Sequence, residues 1–162
     1  MGKRVVITIG CVFCVEIDNE YKCYFQYVSN DFTQLNSTVI RVFKKRYSMD
    51  YVPNIEEIIN DEVYFYAHAM IRVGVKWGAW YKVGRSKTVG DVENIMFRWF
   101  QEIDFSKITK SYRWYVWRNN GPFIFIGEMT DEYKSYELGL IYSHPSIISR
   151  IKTGHYPVKH VD

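Results

Sequence analysis

The sequence predicts an α+β fold dominated by β-structure: a mainly antiparallel sheet, bent or rolled into a partly open barrel, with two or three short helices. Three observations carry this. Aromatic residues are 18% of the chain, with Tyr 14 and Phe 10, and such side chains suit the half-buried face of a sheet. Roughly eight short segments are strand-like, most with apolar alternation, between turn residues. The long crossovers that parallel strands need are missing. The 162 residues fit one domain spanning 1–162, long enough to bury a core without staples.

The elements follow in chain order. Val5 to Ile17 is strand-like, broken near Gly10. Phe13, Val15 and Ile17 share one parity and face a core, while Val12, Cys14 and Glu16 face away. Asp18-Asn19-Glu20 is turn chemistry, with Asn19 able to take a left-handed conformation. Tyr21 to Val28 is the return strand of a hairpin. Thr38 to Phe43 alternates again. Asn54 and Glu57 make a capping box before the helical stripe Ile55, Ile58, Ile59. Val63 to Val73 and Val75 to Val83 read as two strands around Gly74. Val92 to Ile103 fits both periods. Val92, Ile95, Met96, Trp99, Phe100 and Ile103 keep helical spacing after a possible Asp91 cap, whereas Ile95, Phe97 and Trp99 alternate; the reading leans to helix. Tyr112 to Arg118 and Phe123 to Gly127 form a second hairpin across Asn119-Asn120-Gly121. Tyr136 to Tyr142 is a last strand. Pro145 opens a helix with the stripe Ile147, Ile148, Ile151, and Gly154 stops it. The tail 155–162, with Pro157, is expected to be loosely held.

Composition narrows the function classes. Hydrophobic residues at 48% and charged residues at 24% argue against disorder. A net charge of +3, with Lys44-Lys45-Arg46 as the one dense basic run, is too small to imply nucleic acid. No run approaches the roughly 18 apolar residues of a membrane span. The apolar stretch before Cys11 is shorter than the about 7–15 residues of a signal-peptide core. Val6 stands where myristoylation prefers Ser or Thr. Cys11, Cys14 and Cys23 are too few and too odd in number for a disulfide framework, so free thiols and a cytoplasmic location are expected.

The candidate chemistry is thin. Cys11 and Cys14 have the spacing of a redox pair but lie inside a strand, where odd spacing turns the thiols to opposite faces. No second close pair completes a zinc site, so the expectation is no metal and no cofactor. His68, His144, His155 and His160 form no metal-ligand motif. Gly84-Arg85-Ser86-Lys87-Thr88 lacks the frame of a phosphate-binding loop. No nucleophile elbow is present. More suggestive are aromatics beside cations: Trp77, Trp80 and Tyr81 between Lys76 and Lys82, and Trp117 near Arg113 and Arg118. Such groups anchor protein interfaces or stack bases. These six are the candidate partner-binding residues; no catalytic residue is assigned.

Gly10-Cys-Val-Phe13-Cys-Val15-Glu-Ile17-Asp18-Asn19-Glu-Tyr21, followed by Phe25 and Val28, resembles a bacterial family in which a Gly-Asp-Val-Phe strand runs through an Asp-Gly-Lys-Tyr turn into a second strand. Gly121-Pro122-Phe123 through Gly127 is similar to a later strand of the same group. The family is the one numbered twenty-six among immunity proteins of polymorphic toxin systems. Cys11 stands in place of its usual Asp and Asn19 in place of the turn Gly. The resemblance implies a non-enzymatic cytoplasmic protein that neutralises a toxin protein by binding it. The alternatives are a module that stacks single-stranded nucleic acid on Trp80 or Trp117, and a small hydrolase whose site is assembled from distant residues, with His68 or His144 against a carboxylate.

Overall fold

Turn chemistry sets the first hairpin. In a computed structural model that describes residues 3–162, β1 (Cys11–Ile17) and β2 (Tyr21–Asp31) pair antiparallel across a turn where Asp18 and Asn19 have φ of 52° and 55°. Both positive angles suit a tight turn that follows the strand twist. Next come β3 (Ser37–Phe43), α1 (Ile55–Ile59), β4 (Val63–Ala69), α2 (Ile71–Lys76), β5 (Tyr81–Arg85) and β6 (Met96–Phe100). The chain continues through β7 (Trp114–Arg118), β8 (Ile124–Gly127), β9 (Glu137–Leu138), β10 (Ile141–Tyr142) and α3 (His144–Thr153).

Two sheets form. The six-stranded sheet has the order β10-β4-β3-β2-β1-β5, and the four-stranded sheet β8-β7-β6-β9. Pairing is antiparallel except β10 on β4 and β9 on β6. Register shifts in β1, β2 and β3 bend the larger sheet, as bulges do. Neither sheet closes into a barrel among the described residues.

Both faces of the larger sheet are covered. On one face Phe13, Phe25 and Phe65 pack with Ile71, Trp80, Ile147 and Ile151, so α2 and α3 form that cover. On the other, Val12, Cys14, Tyr24 and Phe43 pack under Ile58 and Ile59 of α1. Further along this second face, Val28 and Val39 meet Phe97 and Trp117 of the smaller sheet. Two-sided burial explains why β1 is apolar except at Glu16. The expected parity holds: Val12 and Cys14 face away from Phe13, and the face they share is a second core.

Between these two contacts the second face holds a polar node. Gln26 is fully buried and its Nε2 donates to the carbonyls of Gly10, Ser86 and Thr88 at 3.2, 3.2 and 3.1 Å. Arg41 donates to Gln26 Oε1 at 2.9 Å and to the Thr88 carbonyl at 3.1 Å. The Ser86–Thr88 segment is thus fastened by its backbone to the sheet.

Three element expectations are corrected. The two strands expected around Gly74 are cut back: the first, over Val63 to Val73, ends at Ala69, α2 follows, and the second, over Val75 to Val83, is replaced by β5 from Tyr81 to Arg85. The cause is Trp80: its ring lies where a β-carbon on Gly74 would come within 2.1 Å, and its Nε1 donates to the Ile71 carbonyl at 2.9 Å. Packing of the indole on a bare helical turn overrides the β-preference of Val73 and Val75. The segment that leaned to helix contains β6 instead, because β7 and β9 flank it on both sides. Tyr136 to Tyr142 is not one strand: β9 and β10 belong to different sheets. Between them lies Gly139, where a β-carbon would come within 2.0 Å of the Trp117 ring.

The remaining local signals behave as read. Asn54 Oδ1 accepts from the Glu57 amide at 3.2 Å. Pro145 sits in the first turn of α3, and Gly154 ends it at φ 86°. The tail, expected to be loose, is tied: Tyr156 stacks on Tyr142 at 3.7 Å, Val161 is buried, and Asp162 exchanges backbone hydrogen bonds with Thr109 and Ser111.

Candidate partner-binding surface

The six residues singled out by sequence do not form one surface. Trp80 is 1% exposed and Trp117 0%, in different clusters. Both are core, so neither can stack a base or meet a partner. Trp77, 72% exposed, follows α2, and Tyr81 lies on the edge strand β5, where its hydroxyl donates to Glu16 at 2.8 Å. Arg113 and Arg118 are exposed; in the other sheet Arg113 precedes β7 and Arg118 is its last residue.

What sequence reasoning missed lies beside those arginines. β8 is an edge strand, paired to β7 alone among the described residues. Phe123, Ile124 and Phe125 are 40%, 55% and 60% exposed, and neighbouring Tyr112 is 62% exposed. Phe123 packs on Trp117 with ring centroids 4.9 Å apart, and Phe125 on Tyr115 at 5.3 Å. The aromatic strip is therefore braced from behind. An edge strand with an open hydrogen-bonding side and exposed apolar residues is a ready template for another chain. The signal was present as four consecutive apolar residues, Phe123 to Ile126, closing a hairpin.

The hydrolase alternative fares differently. The structure does set His68 against a carboxylate: His68 Nε2 lies 2.8 Å from Asp31 Oδ2. The same oxygen accepts from Trp117 Nε1 at 3.2 Å, and Asp31 Oδ1 accepts from the Gln34 amide at 3.2 Å. Burial pushes the Asp31 carboxyl up, but these hydrogen bonds outweigh it and hold the group below the usual carboxylate range. Both side chains are 0% exposed. Sealed in this way, the pair fastens β2, β4 and β7 together and offers no room for a substrate. His144 stands edge-on to Trp80, its Nδ1 buried without a hydrogen bond. His160 pairs with Asp162 at the surface.

The thiols occupy both cores. Cys11 and Cys23 lie with Phe13 and Phe25, and Cys14 on the opposite face with Tyr24. Cys14 is opposite Tyr24 in the hairpin, and Cys23 is opposite Val15. A bridge from Cys14 to Cys23 would therefore have to pass through the sheet. Among the described residues no cluster of three or more His, Cys, Asp or Glu is placed to hold a metal.

Comparison with known proteins adds one match: the family described as Immunity protein 26, over residues 8–110. That span runs from the lead into β1 through β6 and stops short of β7 and β8. No curated protein and no solved structure matches the chain.

Proposed function

The chain belongs to the Immunity protein 26 family, and from that premise we propose that it is a non-enzymatic cytoplasmic protein that neutralises a toxin protein by binding it. The observation that carries this reading is the β8 edge. Phe123, Ile124, Phe125 and Tyr112 give it large apolar contacts, and Arg113 and Arg118 stand at the two ends of the adjacent strand. Buried aromatic anchors within a polar rim are the usual anatomy of a tight protein interface. The partner surface that fits is an extended segment with acidic residues beside it, able to add a strand to the open edge and meet the arginines.

Coexpression with a toxin encoded by a neighbouring gene tests the reading. A complex that survives size-exclusion chromatography and rescue of growth are the expected results. Recovery of the chain alone, with the toxin present, folded and active, overturns it.

A further inference from the structure

The face of β6 and β7 that carries Arg98, Phe100 and Trp114 is roofed by the tail, with α3 at one side. Val161 packs on Phe100 and Trp114, and Tyr156 on Tyr142. Sheet, tail and helix leave a cavity of about 400 Å³ between them. That size falls in the range of about 300–1,000 Å³ typical of small-molecule sites.

Its lining is cationic and aromatic. Arg98, Lys134, Arg150 and Lys159 stand against one carboxylate, Glu137, among the described lining residues. Arg150 already pairs with that carboxylate at 2.6 Å. Arg98 is held by Nε donating to the Tyr136 carbonyl at 2.9 Å, with its guanidinium carbon 5.5 Å from the Trp114 ring centroid. Its terminal nitrogens have no hydrogen-bond partner among the described residues. The Trp114 Nε1, in a side chain 1% exposed, is buried without a hydrogen bond, and the Arg150 guanidinium lies 4.8 Å from the Tyr156 ring centroid. A buried donor without an acceptor is costly, and Trp114 is among the residues that line the cavity.

We propose that this cavity binds a small organic anion: a carboxylate or phosphate monoester carried on a planar ring. The acid group accepts from Arg98 and from the unpaired Trp114 Nε1, and the ring lies among the aromatic walls. Charge-assisted hydrogen bonds supply the selectivity for the acid, and the walls supply contact area. The site is separate from the β8 edge, so this inference and the toxin-binding reading stand or fall independently.

Tryptophan fluorescence of the purified chain tests it, because Trp99 and Trp114 line the cavity. The probes are AMP and salicylate, with adenosine and inorganic phosphate as controls. Saturable quenching by at least one aromatic anion is expected, with Arg98→Gln weakening it about tenfold or more. Lys134→Glu, at a side chain 55% exposed, should weaken it a few-fold without touching the core. No saturation with either aromatic anion overturns the proposal. So does quenching by adenosine as strong as by AMP, or unchanged binding in Lys134→Glu and in an Arg98→Gln variant that melts like the parent.

Discussion

Trp117 reaches out of the smaller sheet to donate its Nε1 proton to Asp31, a carboxylate of the larger one, at 3.2 Å. Because His68 meets the same oxygen, one buried carboxylate joins three strands from two sheets. Asp31→Asn keeps the shape and removes the charged acceptor. It should cost about 1–3 kcal/mol at neutral pH, read as a lower urea midpoint. The folded carboxyl titrates below its unfolded value. Its contribution is therefore full above the ordinary carboxylate range and is lost as pH falls through the folded value. The gap between parent and variant should narrow in acid. A gap that stays constant from neutral pH to the acid limit of folding contradicts the assignment.

Gly74 offers a contest of two magnitudes. Gly→Ala within a helix ordinarily stabilises by about 0.8–1 kcal/mol. Here the new methyl would come within 2.1 Å of the Trp80 ring, and overpacking costs about 1–3 kcal/mol. Gly74→Ala should therefore destabilise. Combined with Trp80→Leu, the same change should turn neutral or favourable, giving a double-mutant coupling well outside error. Thermal melts of the four proteins decide this.

Phe125→Asp should lower the melting temperature only slightly, since the side chain is 60% exposed. It should weaken the toxin complex by about 2 kcal/mol or more, roughly thirtyfold. Val52→Asp, at a position 81% exposed, is the control and should bind as the parent does. If Trp77→Ala breaks the complex while Phe125→Asp does not, the contact belongs near the β5 edge and the β8 assignment falls.

The thiols should be silent in the native protein. Burial pushes Cys23 up to about 11 and raises Cys14 as well, and all three side chains are buried. Ellman's reagent at mildly alkaline pH should find almost no fast-reacting thiol in the folded chain and three in denaturant. A native thiol that reacts at the rate of a free cysteine would show that the hairpin opens locally.

The parts of the fold visible in the sequence are those decided within a few residues. The Asp18-Asn19 turn, the Asn54 cap and the Gly154 stop each depend on local backbone chemistry, and each stands where it was read. The parts that were not visible depend on distant partners. α2 is a helix because of Trp80, and β6 is a strand because β7 and β9 flank it. Trp80 and Trp117 looked like surface anchors because a tryptophan beside cations reads alike in a core or an interface. The β8 edge was legible as a strand but not as an edge, because strand order is a property of the whole sheet.

The order of the strands also has a consequence in time. Phe13, Phe25 and Phe65 are made early, yet Ile147, Ile151 and Tyr156, which cover them, are made near the end. β4 likewise waits for β10 to pair Ala69 with Tyr142. At a synthesis rate of about 5–20 residues per second, the part of that aromatic face that α2 leaves open waits several seconds for α3. The closing helix is thus a late latch, and a nascent chain is most exposed to aggregation just before α3 emerges.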